Sequence, residues 1–65
     1  MENNVEIRKE VASYLVKVTF ITGESLPAIK EAIRLIGENN LIPVEMWYWT
    51  ETDTHCVEFM CRENK

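Results

Sequence analysis

The spacing of apolar residues changes period twice along this chain. Ala12, Tyr14, Val16, Val18 and Phe20 recur at every second position. Leu26, Ile29, Ala32, Ile33 and Ile36 then recur at helical spacing, and Val44, Met46, Tyr48 followed by Val57, Phe59, Cys61 return to alternation. A period of two lines one face of a strand, and a period near 3.6 lines one stripe of a helix. The pattern therefore predicts a strand, a helix and two further strands.

Local signals place the boundaries. The first strand runs over 12–22, where β-branched and aromatic residues alternate with Ser13, Lys17 and Thr19. Ser25 reads as the helix N-cap, with Pro27 tolerated in the first turn. Glu38 to Asn40 read as the helix end, since Asn accepts the left-handed conformation there. Residues 44–50 and 55–62 form a hairpin about Thr52-Asp53. That loop sets Tyr48 opposite Val57, Met46 opposite Phe59, Val44 opposite Cys61, Trp47 opposite Glu58 and Trp49 opposite Cys56. A slip of one residue would mix the apolar and polar sets.

A right-handed crossover makes the first two strands parallel, and the hairpin sets the third between them. The expected fold is a small α+β domain of β-α-β-β order. Its three-stranded sheet has the order 1-3-2 and one helix on one face. It looks like half of a ferredoxin-like or ACT-type fold, with the first strand left as an open edge. Residues 1–10, where Val5 and Ile7 are the apolar pair, are expected to be a flexible tail or a strand extension. Residues 11–62 form the single domain, and 63–65 a second tail.

At 65 residues, with 46% hydrophobic and 28% charged, one globular domain is expected and disorder is not. A domain of this size buries only about 60% of the surface its unfolded chain exposes, so disulfides, a metal or a partner subunit usually support it. The net charge of −4 is unevenly spread. Residues 35–61 carry Glu38, Glu45, Glu51, Asp53 and Glu58 without a Lys or Arg, which excludes that half as a phosphate-backbone surface for DNA or RNA. No run approaches the ~18 apolar residues of a membrane span. Glu2, Glu6, Arg8, Lys9 and Glu10 interrupt any signal-peptide core, and two cysteines fit reduced thiols. A cytoplasmic location is expected.

The residues that could carry chemistry are dispersed. His55, Cys56 and Cys61 are the soft metal ligands, but strand parity sends Cys56 and Cys61 to opposite faces. His55 and Cys61 share a face about 20 Å apart. Neither a zinc site nor an intrachain disulfide is expected. Glu51 and Asp53 beside His55 read as a solvated loop tip. Gly23 and Gly37 stand apart and build no phosphate loop. The chain is expected to be no enzyme and to need no cofactor.

What remains is an excess of apolar surface. One helix covers one sheet face, and both faces here are apolar. With Tyr14, Val16, Val18, Phe20, Met46, Tyr48, Val57 and Phe59 beneath the helix, Leu15, Ile21, Trp47, Trp49 and Met60 face outward as an interface. The expected function is a non-enzymatic protein-binding module that associates with itself as a homo-oligomer. Glu45, Glu51, Asp53 and Glu58 could additionally face a basic host protein, as in small acidic inhibitors of the phage anti-defence or DNA-mimic class. In chain length and strand order, with the aromatic pair Trp47 and Trp49 in the strand after the helix, the chain also resembles the dodecins, small β-α-β-β oligomers. That resemblance implies the alternative function, binding of a flavin or another small planar ligand.

Overall fold

The computed structural model describes residues 4–64. Its elements are β1 (Asn4–Glu10), β2 (Ser13–Ile21), α1 (Ser25–Glu38), β3 (Leu41–Glu51) and β4 (Thr54–Glu63). The strands form one sheet of order β1-β2-β4-β3, antiparallel at each pairing. This corrects the expected three-stranded sheet of order 1-3-2 and the likeness to half of a ferredoxin-like or ACT-type fold. It also removes the strand-order likeness to dodecins, because a fourth strand precedes the others.

The added strand falls in the segment 1–10, expected to be a flexible tail or an extension of the first strand; residues 1–3, like residue 65 at the other end, lie outside the described residues. β1 pairs with β2 from Asn4↔Thr19 to Glu10↔Ser13. The cause is the short alternation Val5-x-Ile7, which sets these side chains opposite Val18 and Val16 and half-buries them against the core. β2, expected as an edge, is thereby interior. The connection is a two-residue turn at Val11 and Ala12, with Val11 at φ 54°. At the other end β4 runs through Glu63, and the Asn64 amide donates to the Asn40 carbonyl at 3.0 Å.

The core lies between α1 and one sheet face. Val16, Val18 and Phe20 of β2 and Val57, Phe59 and Cys61 of β4 are buried against Ala28, Ala32 and Ile36, with Leu41 closing one end. The helix stripe thus differs from the wheel expectation. Ile29 is half-buried, while Leu26 and Ile33 are exposed. Two alanines at the contact let the helix backbone approach the sheet closely, and the larger side chains flank that contact instead. Glu24 takes the N-cap position in place of Ser25 and makes no side-chain cap bond. Asn40, at φ 58°, turns the chain out of the helix in the left-handed conformation.

In the β3–β4 hairpin, Glu51↔Thr54, Tyr48↔Val57, Trp47↔Glu58 and Met46↔Phe59 are cross-strand neighbours. The register shifts between Pro43 and Glu45, so Pro43 rather than Val44 faces Cys61. Pro43 has no amide hydrogen, and proline within a sheet is confined to edges and bulges.

Candidate functional site

α1 packs mainly on β2 and less on β3 and β1. The start of β3 joins the core through Leu41, but the stretch from Pro43 to Tyr48 is left uncovered. On the helix side Met46 is 60% exposed and Tyr48 55%; on the other side Trp47 is 44% exposed. Six consecutive residues, Pro43 to Tyr48, are exposed. β3 is also an edge strand, hydrogen-bonded to β4 on one side only.

The opposite edge differs in chemistry. β1 carries Glu6, Arg8, Lys9 and Glu10 among its 7 residues. Charged side chains along an edge discourage pairing with another strand. β3 carries Glu45 and Glu51 among 11 residues, and its middle is Met46-Trp47-Tyr48-Trp49.

The residues singled out as an interface do share the helix-free face, but in unequal environments. Leu15 and Met60 are cross-strand neighbours. Leu15, Ile21, Trp49 and Met60 are half-buried, and Trp47 is exposed. Charges interrupt them. Arg8 flanks Leu15, Glu45 flanks Met60, and the row Glu6-Lys17-Glu58-Trp47 crosses the sheet. The Lys17 amine sits 5.4 Å from the centre of the Trp49 ring, a cation–π distance, and covers part of that ring. The face is therefore mixed, because β1 and β2 contribute both signs of charge to it.

The acidic residues do not converge. Glu45, Glu51 and Asp53 are exposed and Glu58 is half-buried between Lys17 and Trp47. Glu45 and Glu51 stand six residues apart on one strand, about 20 Å.

His55 gathers the polar side chains at the hairpin end of the helix side. Its Nε2 lies 2.6 Å from Thr22 Oγ1, and its Nδ1 is hydrogen-bonded to the Tyr48 hydroxyl. The ring stacks on Phe20, with centroids 5.4 Å apart and planes 14° apart. Each imidazole nitrogen meets a hydroxyl that can donate or accept, so the group reads as a locked side chain that fixes Tyr48. Cys56 and Cys61 are both free thiols and both buried. Removal from water pushes the Cys61 thiol above its ordinary range. Among the described residues no three His, Cys, Asp or Glu side chains stand close enough to hold a metal, and no helix is long and apolar enough to cross a membrane. A concavity of about 270 Å³ between Tyr14, Asn39 and Glu63 has a polar lining and includes Leu41 at the start of β3, but none of Met46 to Trp49.

No protein-family model matches the chain, and neither does any curated protein or solved structure. The site thus stands on its own geometry. Sequence reasoning set Met46 and Tyr48 beneath the helix; the structure leaves both uncovered, together with Val44. The signal for this was Ala28 and Ala32, whose small side chains narrow the strip of sheet that the helix covers.

Proposed function

We propose that the protein is a non-enzymatic protein-binding module that associates with itself through the aromatic edge of its sheet. The observation that carries this reading is β3, an edge strand with Val44, Met46, Trp47 and Tyr48 each roughly half exposed. Isolated exposed apolar residues are ordinary, but a contiguous apolar run on a sheet edge marks an interaction site. Trp, Tyr and Met are also the side chains enriched at the cores of protein interfaces. The small size of the domain adds a physical reason, because burial between subunits supplies what a core of this size lacks. Sedimentation velocity across a micromolar concentration series tests it. A concentration-dependent shift from monomer to a defined oligomer is expected; a monomer throughout the series refutes the proposal.

A further inference from the structure

Resting on that self-association, we infer that the occupant of the edge is the β3 strand of a second copy, paired antiparallel about a two-fold axis through Trp47. Three observations lead there. First, the exposed apolar side chains lie on both faces of β3: Met46 and Tyr48 on the helix side, Trp47 on the other. A partner docked on one face would leave the other in water. A strand added at the edge touches both. Second, the two edges are unequal, since β1 carries four charged residues among 7 and β3 carries two among 11. Strand addition is opposed at the first edge and open at the second.

Third, the charges on β3 select the register. A two-fold axis perpendicular to the sheet keeps the two helices on the same side and pairs residues whose numbers have a constant sum. An axis at Glu45 sets that carboxylate against its own copy. An axis at Tyr48 sets Glu45 against Glu51. Like charges directly opposite are destabilising. An axis at Met46 sets Val44, the residue at the bulge, against Tyr48 and leaves only Glu45, Met46 and Trp47 clear of the irregularity. An axis at Trp47 avoids all of these. It pairs Trp47 with Trp47, Met46 with Tyr48 and Glu45 with Trp49. Glu45 to Trp49 then pair in full, between the bulge at Val44 and the hairpin turn. The product is a continuous eight-stranded sheet with Met46 and Tyr48 of both copies filling the gap between the helices.

Disulfide trapping reads this register directly, because opposed residues in an antiparallel pair stand at a Cα separation a disulfide can bridge. Under mild oxidation Trp47→Cys should cross-link to its own copy. Glu45→Cys and Trp49→Cys should each fail alone and cross-link when mixed. Cys56 and Cys61 are buried, and the unsubstituted chain reports their background. In parallel, sedimentation compares Met46→Lys, on the edge, with Leu15→Lys, on the helix-free face and two strands from β3. Far-UV circular dichroism confirms that each variant folds. Edge pairing predicts at least a tenfold loss of association in Met46→Lys, with Leu15→Lys unchanged. Loss in Leu15→Lys alone overturns edge pairing, and self-cross-linking of Glu45→Cys or Trp49→Cys in place of Trp47→Cys overturns the Trp47 axis; both results leave self-association standing. A native chain that stays monomeric overturns both.

Discussion

Thr22 Oγ1 lies 2.6 Å from Nε2 of His55, a bond that ties the chain leaving β2 to the start of β4. The other ring nitrogen holds the Tyr48 hydroxyl, so one imidazole joins β2, β4 and the edge strand β3. The bare sequence suggests a solvated turn histidine. The fold turns it into the clasp of the hairpin end.

His55→Ala should therefore lower the unfolding free energy by about 1–2 kcal/mol, since two partly exposed hydrogen bonds and the Phe20 stack are lost together. Tyr48→Phe removes one of those bonds and should cost about half as much. Urea unfolding followed by tryptophan fluorescence measures both. An unchanged midpoint in His55→Ala would show that water replaces these contacts without loss.

Val11 is a β-branched residue at φ 54°, and it is 94% exposed, so its side chain gains nothing from packing. The left-handed conformation costs a non-glycine residue about 1–2 kcal/mol. Val11→Gly should stabilise the β1–β2 hairpin by about 1 kcal/mol, with a rise of roughly 4–8 °C in Tm for a domain of this size. A fall in Tm would mean that the flexibility glycine adds to the unfolded chain outweighs the relief.

Both thiols should react slowly with a disulfide-exchange reagent in the native state and at full rate in urea. The pH dependence has a definite sign. Desolvation raises the Cys61 thiol in the folded state, so its contribution is complete below the ordinary thiol range of about 8.5 and is lost as pH rises through the folded value. Stability should decline on the alkaline side, and Cys61→Ala should make that decline shallower. Equal labelling rates with and without urea would contradict the burial of both cysteines.

The two tryptophans should separate under substitution. Trp47 is exposed, so Trp47→Ala should leave the unfolding midpoint nearly unchanged and weaken association by about 2 kcal/mol, the cost of a truncated hot-spot aromatic. Trp49 is half-buried beneath the Lys17 amine, so Trp49→Ala should destabilise the monomer by about 1–2 kcal/mol. Unfolding and sedimentation on the same samples distinguish the two effects. The reverse assignment would exchange their roles.

The hairpin register was legible in the sequence because parity admits few solutions: Trp47, Tyr48 and Trp49 find their cross-strand neighbours as soon as the turn is set at Thr52-Asp53. β1 was hidden for two reasons. Its apolar content is Val5 and Ile7, too short a pattern to outweigh the surrounding charges. Its turn, Val11-Ala12, lacks the Gly or Asn that announces a hairpin. The helix position was hidden differently. Wheel arithmetic weights side chains by hydrophobicity, so it favoured Leu26 and Ile33 over Ala28. Close packing favoured the smaller residue. The uncovered strip at Met46 and Tyr48 follows from that one substitution of size for hydrophobicity.

The unequal edges of the sheet have a consequence for how far such a molecule can grow. Had both borders been apolar, each added chain would present a fresh template, and assembly would run on into a fibre. With Glu6, Arg8, Lys9 and Glu10 along β1, the far border acts as a terminator. Any chain that joins at β3 presents that charged border outward. In the proposed edge pairing, addition is thus finite, and the short charged segment at the other side of the sheet is what would stop it.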